Sequence, residues 1–428
     1  MAEYINTIII GGGQGGLAVS YYLKQHSHPH IIFDKAHQIA QTWRDRWDSF
    51  TLITPNWMVH LPGAPYNGYD PDGFMTRGET VAFFESYVDR LDLPLKLGVR
   101  IKAIKPHEAG YTVETDIGNY SASNVVIATG FYKKPKIPSF SSKIAPEITQ
   151  IHSIDYANPQ GLPDGAVLVV GSAQSGAQIA EELYQSGRRV YLSVSNTGRI
   201  PRRYRGRDFT HWMQEMGDFA RTVDQLSSPE DRYASSAHGT GKNGGHTINL
   251  HQFARDGVTL LGKIQNAQDD RVIITPDLKE NLAKADHFEA DFTKAVDDYI
   301  RQNKIDAPPE SLPKLRDGFE MDEIHHLNLS SAGINCIIWA TGFQCDYSIV
   351  KVPVFDQNGR PVHQRGVTKY PGLYFISMPF LYTGLSGVIA GVGEDAKYIG
   401  SKILSNNKSS EKNKEPRPCV NHAHSLIA

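Results

Sequence analysis

The chain has 428 residues and a formal net charge of −2, and 40% of its residues are hydrophobic. This length predicts two domains, each able to bury a core. The near-neutral charge argues against nucleic acid or an anionic membrane as a partner. No apolar run approaches the roughly 20 residues of a membrane-spanning helix, and no signal-peptide pattern opens the sequence. Three scattered cysteines favour a reducing, cytoplasmic location.

The first predicted element is a strand that leads through a glycine-rich turn into a helix. The stretch TIIIGGGQGGLAVSYYL, residues 7–23, begins with a β-branched apolar run typical of a buried parallel strand. Gly11, Gly13 and Gly16 then match the G-x-G-x-x-G dinucleotide-binding pattern. These glycines permit a tight turn, close approach to a pyrophosphate, and close packing of helix on strand. Gln14 opens the helix and is a further candidate contact.

An acidic residue follows at a spacing that suits a ribose contact. The next predicted strand, HIIFDK, ends at Asp34, which can accept hydrogen bonds from the adenosine ribose. Lys35 comes directly after it and is also a candidate cofactor contact. Loop, strand, helix and acid occur together, so we expect this unit to bind FAD.

A second loop repeats the pattern. VLVVGSAQSGAQIAEEL, residues 167–183, places Ala173 at the position that Gly13 occupies in the first loop. The added methyl group predicts a looser or shifted pyrophosphate. The candidate cofactor contacts here are Gly171, Gln174, Ser175 and Gly176.

The strand after the second loop ends without an acid, and arginines follow it. They are Arg199, Arg202, Arg203, Arg205 and Arg207. Since arginine accommodates the 2′-phosphate of NADP, we expect Arg199 and Arg202 to bind it and the second unit to take NADPH. A solvated basic loop is the alternative. Further along, residues 277–304 have helical spacing without interior proline or glycine, which predicts a long helix.

Two similar strands bracket the second unit: VVIATGF at 125–131 and IIWATGF at 337–343. They suggest that the chain leaves a first domain near residue 130 and returns near 335. The predicted fold is α/β, with two Rossmann-like dinucleotide-binding domains and the NADP domain inserted into the FAD domain. The expected divisions are an FAD-binding domain at 1–157 and 328–405, an NADP-binding domain with a helical insertion at 158–327, and a flexible tail at 406–428.

Together these residues resemble the flavin-containing monooxygenase family, from residue 5 to about 400. The resemblance includes TWRDRWDSFTLITPNWMVHLPG (42–63) and GVIAGVGEDAKYIG (387–400). The pattern is closer still to a bacterial subfamily of flavin-dependent oxidoreductases found beside nitrilase genes. One departure concerns the family's linker signature: His152 and Tyr156 fit it, whereas Pro146 and Ile148 replace its phenylalanine and glycine.

The resemblance implies a class B type monooxygenase. NADPH would reduce FAD, and a flavin C4a-hydroperoxide formed with O₂ would oxygenate a nitrogen or sulfur of a small molecule. Asn56 is the implied catalytic residue, although a plain turn asparagine is an alternative. Trp43 would line the flavin site or simply pack in the core, and Asp395 would contact the flavin or cap a helix. No metal is expected, and a homodimer is possible.

Other functions remain to be weighed. An FAD-dependent NAD(P)H dehydrogenase or oxidase could act on a small amine-type substrate with the same cofactors and without oxygen insertion. A non-catalytic nucleotide sensor is a third possibility. A disulfide reductase needs a redox cysteine pair near the flavin, but no cysteine precedes Cys336 and no C-x-x-C occurs.

Overall fold

The computed structural model describes residues 2–108, 110–131, 134–233 and 237–412, with the side chains of 407–412 left aside. Its helices are α1 (Gln14–Gln25), α2 (Gln41–Arg44), α3 (Arg77–Leu91), α4 (Gln174–Gln185), α5 (Phe209–Glu215), α6 (Leu250–Arg255), α7 (Leu278–Asn303) and α8 (Val392–Lys412). Its strands are β1 (Glu3–Tyr4), β2 (Thr7–Ile10), β3 (His30–Phe33), β4 (Leu95–Lys96), β5 (Ile101–His107), β6 (Gly110–Thr115), β7 (Asn119–Ala122), β8 (Asn124–Ile127), β9 (Lys134–Pro135), β10 (Thr149–His152), β11 (Ala166–Val170), β12 (Val190–Ser193), β13 (Arg203–Tyr204), β14 (Arg207–Asp208), β15 (Thr259–Leu261), β16 (Ile264–Gln268), β17 (Arg271–Ile274), β18 (His326–Asn328), β19 (Ile334–Trp339), β20 (Phe343–Gln344) and β21 (Leu373–Phe375).

The first sheet is parallel and has the strand order β21-β8-β2-β3-β4. Every residue of its central strands β2 and β8 is buried, as their apolar runs predict. Helix α1 follows β2 directly and packs along α8. A smaller sheet, β1-β7-β6-β5, lies beside this unit.

The second sheet is also parallel, with the order β10-β19-β11-β12-β15. Its β11-α4-β12 segment repeats the β2-α1-β3 arrangement of the first sheet. Here too the two neighbouring strands β11 and β12 are buried throughout. The predicted α/β fold with two dinucleotide-binding units is therefore confirmed.

The chain crosses between the two units through a narrow ribbon. β9 pairs with β20 in antiparallel fashion, with Pro135 opposite Phe343. The outgoing and returning segments therefore run side by side. Just beyond the ribbon, His152 Nε2 lies 3.0 Å from the carbonyl oxygen of Gly342 and fixes β10 beside the returning chain.

The boundaries between the two sheets differ from the expected domain boundaries. β10 lies before residue 158 and β19 lies after residue 327, yet both belong to the second sheet, where they pair with each other. β19 also pairs with β11, with Val169 opposite Ile338. The chain therefore passes from the first sheet to the second at the ribbon, near residue 134, and returns near residue 344. The apolar strand β19 precedes this return and belongs to the second sheet.

Two helices can be compared with their predicted segments. α7 covers the expected long helix, from Leu278 to Asn303. α8 continues to Lys412, into the segment expected to be a flexible tail from residue 406. Asn406 Nδ2 donates to the hydroxyl of Tyr374 at 2.8 Å, which ties this end of α8 to the first sheet. Residues 413–428 of the expected tail lie outside the described residues. Within the described ranges, no helix has the length and hydrophobicity to cross a bilayer.

Candidate cofactor sites

The first glycine loop has the geometry that its sequence predicts. Gly11 has φ +113°, and a Cβ there would lie 2.4 Å from the carbonyl oxygen of Ala128. A Cβ on Gly16 would lie 1.9 Å from the Gly11 carbonyl oxygen. Both positions therefore require glycine for the turn and for helix–strand packing. Gly13 differs, because a Cβ there would meet no atom of the described residues within 4 Å, so the space beside it is open.

The N-terminus of α1 is suited to an anion. Gly13 precedes the helix, no side chain in the described part of the chain caps its free N–H groups, and no acidic residue occupies its first turn. These N–H groups and the helix dipole favour a negatively charged ligand such as a pyrophosphate. Gln14 Nε2 donates to the carbonyl oxygen of Gly387 at 3.0 Å, so this side chain also fixes the segment that leads into α8.

Asp34 lies at the end of β3 beside the loop and is held by two backbone groups. Its Oδ2 accepts from the N–H of Gly12 at 2.6 Å, and its Oδ1 accepts from the N–H of Ala36 at 2.8 Å. Each carboxylate oxygen has a further lone pair, so a ribose hydroxyl could still donate to it. Lys35 is exposed at this position.

Several buried polar atoms beside the first loop have no hydrogen-bond partner among the described residues. Thr129 Oγ1 and Ser377 Oγ are two of them. A Cβ on Gly11 would lie 3.2 Å from the Thr129 nitrogen, and one on Gly15 would lie 2.1 Å from Ser377 Oγ. Unpaired buried polar atoms are costly and uncommon in native proteins. A flavin nucleotide lying along this loop offers such partners, so these residues fit the predicted FAD.

Asp395 lies in the first turn of α8 and is 2% exposed. Its Oδ1 is 3.5 Å from Arg365 Nε, whereas its Oδ2 is buried and has no hydrogen-bond partner among the described residues. Burial raises the pKa of this carboxyl group. The Asp395 carboxylate is buried and only partly paired, and its contact with the cofactor stays a prediction.

Asn56 begins a short 3₁₀ turn, Asn56–Met58, whose Trp57 stacks on His211 of α5 with ring centroids 4.9 Å apart. It is 6% exposed, and its Nδ2 donates to the carbonyl oxygen of Asp70 at 2.9 Å. Its Oδ1 is buried without a hydrogen-bond partner among the described residues. Before the turn in the sequence, the carbonyl oxygen of Ile53 accepts a hydrogen bond from Arg202. After the turn, Pro62 lies close to the start of α8, since a Cβ on Gly393 would be 3.3 Å from it. The Asn56 turn thus lies between the second unit and the start of α8.

Trp43 is half-buried on α2, and its surroundings favour core packing. Its ring centroid lies 6.2 Å from that of Phe84 in a stacked arrangement and 6.0 Å from that of Phe50. These contacts account for the position of Trp43 by packing of α2 on α3. Its proposed contact with a flavin stays a prediction.

The second loop repeats the backbone of the first. Gly171 has φ +102°, and a Cβ there would lie 2.6 Å from the carbonyl oxygen of Ala340. A Cβ on Gly176 would lie 1.8 Å from the Gly171 carbonyl oxygen. The two Ala-Thr-Gly-Phe segments therefore lie against equivalent glycines, Ala128 against Gly11 and Ala340 against Gly171.

Ala173 adopts nearly the same conformation as Gly13, with φ −69° and ψ −174° against φ −84° and ψ −174°. The alanine is therefore unstrained. Its methyl group extends in the direction that is open beside Gly13. Among the described residues no side chain caps α4, and no acid lies in its first turn, so its N-terminus is also suited to an anion.

Gln174 is engaged by the chain itself, while Ser175 is half-exposed in the first turn of α4. Gln174 Nε2 donates to the carbonyl oxygen of Gly239, and its Oε1 accepts from the Gly239 N–H at 3.1 Å. The neighbouring His238 is 1% exposed, and its Nε2 contacts the carbonyl oxygen of Ser172. Burial lowers the pKa of His238 to about 4. The segment around residue 239 thus lies directly against the second loop, which no sequence pattern indicated.

Arg199 and Arg202, the predicted 2′-phosphate ligands, are both buried and paired with carboxylates of the chain, although Arg202 Nη2 has no hydrogen-bond partner among the described residues. Arg199 is 6% exposed and forms ion pairs with Asp286 and Glu289 of α7, each at 2.7 Å. Although burial lowers the pKa of Arg199, these carboxylates raise it above its ordinary value. The physical reason is that a buried guanidinium requires charged partners, and α7 supplies them.

Arg202 is buried even more deeply, at 2% exposure. Its Nε donates to Asp208 Oδ2 at 2.7 Å, and its Nη1 donates to the carbonyl oxygen of Ile53 at 2.8 Å. The guanidinium carbon lies 4.3 Å from the ring centroid of Phe74 and 4.8 Å from that of Phe209. This arginine therefore joins the second unit to the segment before Asn56.

The other three arginines also have partners within the chain. They are Arg203 with the carbonyl oxygens of Gly244 and Gly245, Arg205 with Asp297, and Arg207 with Glu215. The basic cluster is therefore mostly a set of structural contacts.

An aromatic contact between the units also escaped sequence analysis. The ring of Tyr233 stacks on Phe131 with centroids 5.5 Å apart, and the guanidinium of Arg360 lies 4.0 Å from the Tyr233 centroid. Phe131 closes the first Ala-Thr-Gly-Phe segment, so this contact covers the end of the first sheet. Its members are about a hundred residues or more apart in the sequence, and no local pattern connects them.

Two parallel sheets, each with a glycine loop and an uncapped helix N-terminus, are typical of proteins that bind two dinucleotides. A family profile described as pyridine nucleotide-disulphide oxidoreductase matches residues 8–213. An uncharacterised oxidoreductase, CzcO-like, of Geobacillus kaustophilus is 34% identical over 406 residues, covering 94% of this chain and 99% of the relative. The chain belongs to this family of CzcO-like oxidoreductases.

Solved structures share the fold. A flavin-containing monooxygenase from Stenotrophomonas maltophilia has a TM-score of 0.65 at 17% identity, covering 95% of this chain and 99% of that one. The ornithine N-hydroxylase of Kutzneria sp. 744, solved with reduced FAD, NADP⁺ and L-ornithine, has a TM-score of 0.63 at 15% identity and covers 94% of this chain and 100% of that one. The overall fold is thus that of flavin-dependent monooxygenases.

Proposed function

We propose that this chain is an FAD- and NADPH-dependent monooxygenase that oxygenates a nitrogen or sulfur of a small molecule. The observation that carries the proposal is the pair of uncapped helix N-termini, on α1 and α4, with the Asn56 turn lying between the two units. Such N-termini are suited to two pyrophosphates. The fold shared with the Stenotrophomonas and Kutzneria enzymes supports the same activity.

The residues of the chain would act mainly by binding and orientation. A bound flavin would accept hydride from the nicotinamide and activate O₂. The Gly11–Gly16 loop and Asp34 would hold the FAD, and the Gly171–Gly176 loop would hold the nicotinamide nucleotide. The buried turn at Asn56 and the contact of Tyr233 with Phe131 would limit access of water between the units.

The cysteines argue against disulfide reduction as the activity. Cys336 is buried within β19 of the second sheet, and its pKa is raised to about 11 by burial, so it is a poor nucleophile. Cys345 follows β20 and forms no disulfide with another described residue. Neither residue lies in the first sheet or in its glycine loop. Within the described ranges, the chain therefore offers no cysteine pair beside the predicted flavin.

Isotope incorporation would test the proposal. The purified flavoprotein would be reduced with NADPH under anaerobic conditions and mixed with ¹⁸O₂ and a panel of small amines and thioethers. We expect ¹⁸O in an N- or S-oxide product, with less than stoichiometric H₂O₂. Quantitative H₂O₂ with every compound and with no labelled product would instead favour a dehydrogenase or oxidase that uses the same cofactors.

A further inference from the structure

The two dinucleotide units can be superposed residue by residue through their strand registers. In the first sheet Ile10 pairs with Phe33, and Asp34 follows. In the second sheet Val170 pairs with Ser193, so Val194 occupies the place of Asp34. An acid at this place accepts hydrogen bonds from the 2′-hydroxyl of NAD, whereas an arginine nearby accommodates the 2′-phosphate of NADP. Val194 is 1% exposed and can do neither.

Neutral hydroxyl groups surround this place in the second unit. The N–H of Ser195 donates to Ser172 Oγ at 2.9 Å, and Ser195 Oγ lies 3.4 Å from both Ser172 Oγ and Thr197 Oγ1. Ser172 stands at the position of Gly12 in the first loop. Asn196 is exposed between these residues. Hydroxyl and amide groups can bond to a ribose hydroxyl or to a phosphate, so they favour neither strongly.

Arg199 closes this segment and is already paired with carboxylates of the chain, so it offers no free positive charge to the segment. Helix α7 packs directly on it, since a Cβ on Gly198 would lie 2.7 Å from the ring of Phe288. Arg199 is bound by both Asp286 and Glu289, so two carboxylates face one guanidinium. A 2′-phosphate carries additional negative charge and needs an unpaired cation to compensate for its lost hydration.

We infer that the second site binds NADH and NADPH with nearly equal affinity, and that Ser195, Asn196 and Thr197 determine this lack of discrimination. The inference rests on the proposed use of a nicotinamide nucleotide and adds its specificity. NADPH remains a reductant, but at this place Val194 replaces the usual acid and Arg199 is already paired, so neither residue selects between the two nucleotides.

Binding measurements test this inference without reference to oxygen chemistry. Isothermal titration calorimetry of the flavin-loaded protein with NAD⁺ and with NADP⁺ would give two dissociation constants. We expect them to agree within about fivefold, which corresponds to about 1 kcal/mol. A larger preference for either nucleotide would overturn the inference, and so would a failure of both nucleotides to bind. Failure of ¹⁸O incorporation alone would leave this ratio unchanged and would concern only the proposed oxygenation.

A gain-of-specificity variant tests the residues assigned. Asn196→Arg places a guanidinium on an exposed position beside the hydroxyl groups, and it should shift the ratio about tenfold or more toward NADP⁺. Asn196→Gln is the matched control, with a polar but neutral side chain, and should keep the ratio of the natural protein. An unchanged ratio in Asn196→Arg would show that the 2′-position lies elsewhere, and the assignment would be lost.

Discussion

At the scale of single residues, Gly13 and Gly16 have different structural reasons to be glycine. Gly16→Ala would bring its Cβ to 1.9 Å from the Gly11 carbonyl oxygen, so we expect a loss of several kcal/mol in the free energy of unfolding. Gly13 has open space beside it and φ −84°, so Gly13→Ala should change the free energy of unfolding of the apoprotein by less than about 1 kcal/mol. Its methyl group would instead reach the predicted pyrophosphate and lower the FAD content. Urea unfolding and flavin absorbance would check both, and full flavin content in Gly13→Ala would contradict the predicted cradle.

Ala173 is the natural counterpart of that Gly13→Ala change. Because its backbone matches that of Gly13, Ala173→Gly should fold with little loss of stability. We expect it to bind NADP⁺ several-fold more tightly, since the methyl group no longer crowds the pyrophosphate. Calorimetry would measure this change. An unchanged dissociation constant would mean that the pyrophosphate lies away from residue 173.

Asn56 can be tested through the fate of oxygen. Asn56→Ala removes a buried carbonyl group that lacks a partner and an amide that donates to Asp70, so it should cost at most about 2 kcal/mol of stability. We expect more H₂O₂ released per NADPH consumed, by several-fold, with an unchanged rate of flavin reduction. Tyr66→Phe removes only a 3.4 Å contact with Asn56 and serves as the control. Equal H₂O₂ yields in both variants would assign Asn56 a purely structural role.

At the scale of elements, Arg202 connects the segment around β13 and β14 to the turn before Asn56. Arg202→Ala would leave Asp208 buried without its cation, so we expect a loss of about 3–5 kcal/mol in the free energy of unfolding. Arg203 is an exposed neighbour whose partners are carbonyl oxygens. Arg203→Ala should therefore lower the free energy of unfolding by less than about 1 kcal/mol. Urea denaturation compares the two. Similar small losses would show that the Arg202 contacts contribute little.

The sequence was sufficient for those elements whose determinants are local. Both glycine loops and α7 follow from residues within one short window, so their patterns could be read directly. β19 could not be assigned to a sheet in this way, because an apolar strand ending in Ala-Thr-Gly-Phe fits either parallel sheet. Its membership depends on pairing with β10 and β11, which is a long-range contact.

Side-chain roles within the candidate sites were harder to predict for the same reason. Arg199 looked like a phosphate ligand because its partner Glu289 lies 90 positions further along the chain. Glu181 of α4 is a second case of a charge paired over a long distance in the sequence. It is buried, and its Oε1 lies 2.6 Å from Nε2 of His246 in a distant loop. A local sequence pattern shows which charges are present, but only the tertiary fold shows which of them are already paired.

At the scale of the whole molecule, buried histidines make stability depend on pH. Burial lowers the pKa of His28 and of His238 to about 4, whereas an unfolded histidine titrates near about 6.5. Between these values the unfolded chain binds more protons than the folded one, so the free energy of unfolding falls as pH decreases from about 6.5 to 4. On the alkaline side, the hydrogen bond to Glu181 raises the pKa of His246, and its contribution is lost as pH rises through that value.

The acidic limb of this profile can be assigned by substitution at one histidine. His28 is 7% exposed and its Nε2 lies 2.8 Å from Thr7 Oγ1, so Gln at this position can keep a hydrogen bond without titrating. We expect His28→Gln to reduce the loss of stability between pH 6.5 and 4 by about 2–3 kcal/mol, judged by urea denaturation. His26→Gln changes an exposed side chain in the same turn and should reproduce the natural profile. If the two variants show the same pH dependence, protonation of His28 does not contribute to acid unfolding, and the effect must arise from other histidines whose pKa is lowered by burial, such as His238 and His363, or from carboxylates.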